Sequence, residues 1–252
     1  MYRAATLAGR PSIVLPSRDL EDTSRQLGQQ GVKDAVRRLK RSGRILSVRK
    51  NLVVLPEATG RVTVGLPEII KVVAPSLHLI TGGRALEESH LTDQHSFTVV
   101  VLVPAPVSGF SFRGEKATFL TADPARIWGW VTSGPHYALP ERAILDGVSH
   151  PRYGVSLPMA LGALSGAIDR DPDFLSLLFD AARLYDSTAT SRRIGLLVGH
   201  LCGHDEAEPF RDLIGTSRTP VLLRPGGERK GQIDRTWRVI VNASIEPQGA
   251  SN

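Results

Sequence analysis

Residues 32–55 read VKDAVRRLKRSGRILSVRKNLVVL, and this stretch decides the fold expected for the N-terminal part of the chain. Its first half predicts an α-helix, because apolar residues recur at intervals of three and four: Val32, Ala35, Val36 and Leu39. Four basic residues fall on a different face of that helix: Lys33, Arg37, Lys40 and Arg41. Gly43 is a typical helix end. The stretch therefore predicts a helix that packs through one face and presents a cationic face outward.

The second half of the same stretch predicts a β-hairpin. Residues 45–48 and 52–55 are β-rich, and a tight turn is expected at Arg49, Lys50 and Asn51, because Asn tolerates the positive φ of such turns. Arg44 stands just before the first strand. The hairpin is therefore expected to carry basic residues at its base and its tip.

The residues that precede the basic helix predict a further strand and a further helix. Residues 12–16, SIVLP, favour a short strand, and residues 17–28 favour a helix with Ser17 as its N-cap and Gly28 as its end. Strand, helix, turn, basic helix and hairpin follow one another as in a winged helix-turn-helix domain. In that fold the second helix enters the major groove of DNA and the hairpin contacts the backbone or the minor groove.

The distribution of charge supports a polyanionic partner for this N-terminal part. Residues 1–55 contain 12 Lys and Arg but 4 Asp and Glu, whereas residues 56–252 contain 19 and 21. A basic segment on a nearly neutral body is typical of nucleic-acid binding, although a solvated basic face or a protein-binding winged helix would have the same charge. The residues predicted to contact double-stranded DNA are Ser17, Arg18, Lys33, Arg37, Lys40, Arg41, Arg44, Arg49 and Lys50.

Length and composition predict two folded domains. The chain has 252 residues, 41% of them hydrophobic, and residues 56–60, PEATG, form a plausible linker. We therefore expect a winged helix-turn-helix domain at 1–60 and a larger α+β domain at 61–252. In the second domain short strands, including one at 127–131, precede a series of helices. A single cysteine and the lack of a long apolar run favour a cytoplasmic protein without a membrane segment.

The sequence contains no convincing catalytic or metal-binding pattern. His200, Cys202 and His204 offer half of a zinc motif, and no second cysteine completes it. Glu228 and Lys230 have the spacing of a nuclease triplet, but they lie in a Gly-rich segment far from Asp173. We therefore predict neither an enzyme nor a bound metal or cofactor.

Four further stretches, together with the N-terminal part, resemble the AbiEi-type antitoxins of type IV (abortive infection) toxin–antitoxin systems. They are GGRALEESHLTDQ (82–94), ERAILDGVSHPRYG (141–154), SRRIGLLVGHLCG (191–203) and PVLLRPGGERKGQIDRTWRVIVN (220–242). The resemblance implies a winged-helix repressor of its own operon that binds repeats upstream. It also implies a C-terminal domain that counteracts a nucleotidyltransferase-like toxin, by direct contact or otherwise, and no enzymatic activity.

Two of the motifs that carry the resemblance contain charged residues with an expected structural role. In Glu141-Arg142-x-x-Leu145-Asp146 the spacing pairs Arg142 with Asp146 along a helix and places Glu141 in its first turn. Arg192 and Arg193 are expected to bind carboxylate groups, either on that helix or on a partner protein.

Two other functions remain open at the level of sequence. One is a stand-alone winged-helix regulator whose C-terminal domain senses a ligand or a protein. The other is an interaction module that uses its basic N-terminal part on an acidic protein.

Overall fold

The computed structural model describes residues 12–16, 32–50, 52–57, 60–131 and 134–245. These residues form a mixed α+β fold, which confirms the α+β part of the expected fold class, and the winged helix-turn-helix stays a prediction. The helix predicted at residues 17–28, with Ser17 and Arg18, lies outside the described residues. No helix in the described part of the chain is both long and apolar enough to cross a membrane.

The elements follow one another in a mixed order along the chain. The strands are β1 (Ile13–Pro16), β2 (Leu46–Arg49), β3 (Leu52–Leu55), β4 (Leu79–Thr81), β5 (Thr98–Val103), β6 (Phe110–Phe112), β7 (Glu115–Thr121), β8 (Val221–Leu222), β9 (Gln232–Asp234) and β10 (Val239–Val241). The α-helices are α1 (Val32–Arg41), α2 (Leu66–Val73), α3 (Gly83–Glu88), α4 (Pro140–Ser149), α5 (Leu157–Arg170), α6 (Phe174–Tyr185), α7 (Thr188–Cys202) and α8 (His204–Ala207). Short 3-10 helices cover Pro124–Arg126, Pro151–Tyr153 and Glu208–Leu213.

The chain forms two compact units. The N-terminal unit contains residues 1–76 and 108–117, and the C-terminal unit contains residues 77–107 and 118–252. Residues 61–76 and the β6–β7 turn thus group with the N-terminal residues. We predicted a boundary between two folded domains near residue 60. That boundary stays a prediction, because the division into compact units does not test whether each part folds by itself.

In the N-terminal unit, a three-stranded antiparallel sheet has the order β1-β3-β2. Val54 of the central strand lies opposite Val14 on one side and Leu46 on the other. Gly43 ends α1 with a φ of +69°, a left-handed conformation that glycine adopts without strain. The chain then turns at once into β2, and Ile45 is buried with the apolar residues of β3.

The C-terminal unit is built around α4. Every residue of this helix from Arg142 to Val148 is buried, and α3, α5, α6 and α7 all pack on it. Strands β4 and β5 pair antiparallel beside β7. Near the C-terminus β10 pairs with β8 in parallel and with β9 antiparallel.

One predicted strand is not formed, and one observed strand was not predicted. The expected strand at 127–131 is not formed: Trp130 makes one isolated bridge to Ala138, after a 3-10 turn that Asp123 caps. Gly129 has a φ of +74° there, which interrupts an extended strand. Strand β9 was not predicted, because it has only three residues and follows a Gly-rich segment, so it is too short to show an alternation of apolar and polar residues.

Candidate nucleic-acid interface

The basic residues of α1 lie on its solvent-exposed side. Arg37, Lys40 and Arg41 are exposed, whereas Leu39 is half-buried. Lys33 belongs to the first turn of α1, and its side chain lies outside the described part of the molecule. The structure therefore brings together three of the four cationic side chains predicted for this helix.

Arg38 is a fourth exposed basic side chain on α1 that the sequence analysis did not select. By helical spacing it lies beside Asp34 and Arg41, away from the arc that runs from Lys40 through Lys33 and Arg37. In the sequence, its position next to Arg37 in a basic helix was the one sign that Arg38 could belong to the cationic surface. The cationic surface of α1 is therefore wider than the predicted face, and we define the α1 basic surface as Arg37, Arg38, Lys40 and Arg41.

Little within the described residues neutralises the α1 basic surface. The carboxylate that approaches it is that of Asp34, whose Oδ1 lies 3.8 Å from Nη1 of Arg37. Both side chains are more than two-thirds exposed, so this pair contributes little to stability. Basic residues in the last turn also interact favourably with the helix dipole, which helps to explain why they are tolerated side by side.

The hairpin contributes basic residues with different environments. Arg44 and Lys50 are exposed, and Asn51 lies outside the described residues. A register shift between Ser47 and Arg49 marks a bulge in β2. Bulges bend a strand and turn its side chains in new directions, and this bulge lies next to the hairpin turn.

Arg49 is already engaged within its own unit. Its Nη1 donates a hydrogen bond of 3.4 Å to the carbonyl oxygen of Ser108, and its guanidinium carbon lies 6.0 Å from the centre of the Phe110 ring. The side chain is half-buried. A DNA contact by Arg49 stays a prediction, and its remaining N–H groups would have to make it.

The pair predicted between Arg142 and Asp146 is confirmed and is buried. Arg142 donates from Nε to Oδ2 at 3.1 Å and from Nη2 to Oδ1 at 3.2 Å, and Asp146 is fully buried. The hydroxyl groups of Thr81 and Tyr185 donate to the same carboxylate at 2.6 and 2.9 Å. The guanidinium also lies over the Trp128 ring, 4.4 Å from its centre. Asp146 thus accepts four hydrogen bonds, which compensates its desolvation.

Within the described residues, Arg192 and Arg193 bind backbone carbonyls and not carboxylates, which corrects the expectation of carboxylate partners on the α4 helix; a carboxylate on a partner protein stays a prediction. Arg192 donates to the carbonyl oxygens of Ile214, Ser217 and Thr219, so it fixes the loop that follows the last 3-10 helix. Arg193 donates to the carbonyl oxygens of Leu222, Val148 and Ser149. Burial lowers the pKa of Arg193 to about 10, which leaves it charged at neutral pH. The spacing SRR could not show that the partners were backbone carbonyls.

Glu141 occupies the first turn of α4, as predicted. Burial raises the pKa of its carboxyl group, and the nearby Asp171 raises it further. Glu141 therefore carries its charge at a cost.

The residues considered for metal binding or nuclease chemistry do not converge. His200 and Cys202 belong to α7 and His204 begins α8, yet the described ranges contain no group of three or more His, Cys, Asp or Glu side chains placed to hold a metal ion. Burial raises the pKa of the Cys202 thiol, which makes it a poorer ligand and nucleophile. Glu228 pairs with Lys230 at 2.8 Å on the surface.

Comparison with known proteins identifies the fold. No family model matches the chain, and no curated protein sequence matches it. Its structure is similar to the crystal structure of the RV2827C protein from Mycobacterium tuberculosis, with a TM-score of 0.65 and 13% sequence identity. The similarity covers 94% of this chain and 88% of that one. The two proteins therefore share a fold through nearly their whole lengths.

Proposed function

We propose that this protein is a DNA-binding antitoxin of the cytoplasm that represses its own operon, as in type IV toxin–antitoxin systems. The observation that carries the proposal is the α1 basic surface, which is exposed within an N-terminal segment that has 12 basic and 4 acidic residues. Phosphate neutralisation by such residues supplies most of the affinity of proteins for DNA.

The proposed binding mode is that of a winged helix-turn-helix. The described elements that support this mode are β1, α1 and the β2–β3 hairpin, in that order along the chain, and the first helix of the motif is predicted at 17–28, outside the described residues. Helix α1 would lie in the major groove, where Arg37 and Arg41 can each form two hydrogen bonds to a guanine edge. Arg44 and Lys50 would contact phosphates on either side. Repression would be steric, since a protein on operator repeats excludes RNA polymerase.

The proposed antitoxin activity belongs to the C-terminal unit. Two motifs of the AbiEi resemblance meet in its core, because Arg193 donates to the carbonyls of Val148 and Ser149 at the end of α4. The two motifs therefore stabilise each other's position in the core. The functional partner of this unit would be a nucleotidyltransferase-like toxin encoded beside this protein.

Co-expression with the product of the adjacent gene tests both halves of the proposal. A promoter reporter measures repression, and growth of the host measures protection from the toxin. Replacement of Arg37, Lys40 and Arg41 by Ala should abolish repression but leave protection intact, because the two activities are assigned to different units. A matched variant in which Arg183, Arg211 and Arg218 are replaced by Ala removes the same charge from the C-terminal unit and should retain repression.

Two results would contradict the proposal. An adjacent gene that is harmless to the host would remove the antitoxin function and favour a stand-alone regulator. Repression that survives the triple α1 substitution would remove the assigned DNA-binding surface.

A further inference from the structure

A cavity of about 320 Å³ in the C-terminal unit is lined by three arginines: Arg126, Arg142 and Arg152. Its polar wall also includes Tyr153, and its apolar wall includes Leu102. Among the described residues, no Asp or Glu lines it. Three guanidinium groups therefore meet at one concave site whose lining contains no carboxylate.

Arg142 leaves one nitrogen unused. Its Nε and Nη2 donate to Asp146, whereas its Nη1 is buried and has no hydrogen-bond partner among the described residues. The residue is 2% exposed, so bulk water does not compensate this nitrogen. A buried donor without an acceptor is costly, and the rings of Trp128 and Tyr185, whose centres lie 4.4 and 4.9 Å from this guanidinium group, offset part of that cost.

The other two arginines stand at the exposed side of the same cavity and are held in place. Arg126 donates from Nη1 to the carbonyl oxygen of Tyr185 at 3.3 Å. Arg152 donates from Nη2 to the hydroxyl oxygen of Tyr153 at 3.1 Å. Each guanidinium has five N–H donors, so both keep free donors. Because the Tyr153 hydroxyl accepts from Arg152, its own proton is available for donation.

The charge around the cavity is suited to a dianion. Asp146 is the acidic group in contact with Arg142, and it balances one of the three guanidinium charges. Burial and the nearby Asp146 hold the pKa of Tyr185 well above its ordinary value of 10, so its phenol stays neutral. Counted over the three lining guanidinium groups and Asp146, the formal charge is +2. Phosphate monoesters carry nearly two negative charges at neutral pH, and guanidinium groups bind phosphate oxygens in pairs.

We propose that the cavity lined by Arg126, Arg142, Arg152 and Tyr153 binds a small phosphate monoester or inorganic phosphate. Arg126 and Arg152 bind the phosphate oxygens from the exposed side, and the guanidinium group of Arg142 supplies positive charge at the buried end. The volume exceeds that of a phosphate ion and lies at the lower end of the range for small-molecule sites, so there is room for part of an organic substituent.

Binding to the full-length protein tests the proposal, with inorganic phosphate and adenosine monophosphate as probes. Isothermal titration and the shift of the melting temperature are measured at constant ionic strength, with chloride in place of phosphate as the blank. We expect saturable binding of one anion per chain and a rise in melting temperature that increases with ligand concentration. Tighter binding of the nucleotide would identify an organic phosphate as the ligand, and tighter binding of the free ion would identify phosphate itself.

Variants assign the binding to this cavity. Arg126→Gln and Arg152→Gln should each weaken binding by about tenfold or more, the effect expected when a charge-assisted hydrogen bond is removed. Arg218→Gln removes an exposed charge of the same unit outside the cavity lining and should leave binding unchanged. Replacement of Arg37, Lys40 and Arg41 by Ala tests adsorption to the α1 basic surface and should also leave it unchanged.

Three outcomes would overturn the proposal. They are no saturable binding by the unaltered protein, equal binding by the Arg126→Gln/Arg152→Gln double variant, and abolished binding in the α1 variant. The titration measures anion binding alone. Its outcome therefore does not depend on whether the protein binds DNA or neutralises a toxin. Preserved melting temperatures of the two Gln variants without ligand separate impaired binding from impaired folding.

Discussion

The indole ring of Trp237 lies so close to Gly195 that a Cβ atom at position 195 would overlap the six-membered ring. Gly195 belongs to α7, and Trp237 shortly precedes β10. Both residues are buried. The three-stranded sheet near the C-terminus is therefore positioned on α7 through a contact that requires glycine for its small size.

Gly195→Ala is expected to destabilise the protein by about 1–3 kcal/mol, because overpacking forces the ring or the helix to move. Gly162→Ala in α5 is the matched control, since a Cβ there meets no atom within 4 Å. That change should be neutral or stabilise by up to about 1 kcal/mol, as alanine favours helix. Urea unfolding of both variants measures the difference, and equal free energies would show that the Trp237 contact is unimportant.

A second prediction compares a buried and an exposed Arg–Asp pair. Arg142→Gln leaves the fully buried Asp146 without its counter-ion, so a decrease of about 3–5 kcal/mol in the free energy of unfolding is expected. Arg183→Gln breaks an Arg–Asp pair of 3.0 Å on α6 whose side chains are more than half exposed, and it should cost less than about 1 kcal/mol. Similar decreases in the two variants would contradict the role given to burial.

Glu141 should make stability depend on pH. Its pKa is raised in the folded protein, so the folded state binds a proton more readily than the unfolded chain. The free energy of unfolding should therefore fall as pH rises from the ordinary carboxyl pKa of 4.5 through the raised value. Glu141→Gln should remove this decrease and make the protein more stable than the parent at pH 7. Denaturation at a series of pH values checks the direction of this change. A Gln variant that is less stable than the parent at pH 7 would indicate that the pKa of Glu141 is lowered in the folded protein.

Short-range patterns predicted part of this structure, and long-range contacts account for most of what they missed. The period of three and four residues predicted α1, and the same spacing predicted the Arg142–Asp146 pair, because both depend on neighbours along one helix. Thr81 and Tyr185 also bind Asp146, but they stand 65 and 39 residues away in the chain. No local pattern could assign them.

The arginine cavity shows the same limit. Arg126, Arg142 and Arg152 come from a 3-10 helix, α4 and a second 3-10 helix, and only the tertiary fold brings them to one cavity. Conversely, Arg192 and Arg193 were predicted as carboxylate ligands because of their side-chain chemistry. Backbone carbonyls, which no sequence pattern distinguishes, are their actual partners.

The α1 basic surface should determine how salt affects DNA binding. Replacement of Arg37, Lys40 and Arg41 by Ala should weaken binding to every duplex and reduce the slope of log K against log salt by about 0.9 for each phosphate that the variant no longer neutralises. The variant with Ala at Arg183, Arg211 and Arg218 removes the same charge from the C-terminal unit and should keep the parental slope. Titration at several salt concentrations distinguishes local contacts from an effect of net charge.

Fluorescence anisotropy of the full chain on a duplex from its own upstream region tests the central claim most directly. An unrelated duplex of equal length, at two salt concentrations, is the comparison. We expect the upstream duplex to bind at least about a thousandfold more tightly than the unrelated one, which is the lower end of the ratio of specific to non-specific affinity among DNA-binding proteins. Equal affinity for the two duplexes, or no binding to either, would contradict the assignment of this protein as an autorepressor.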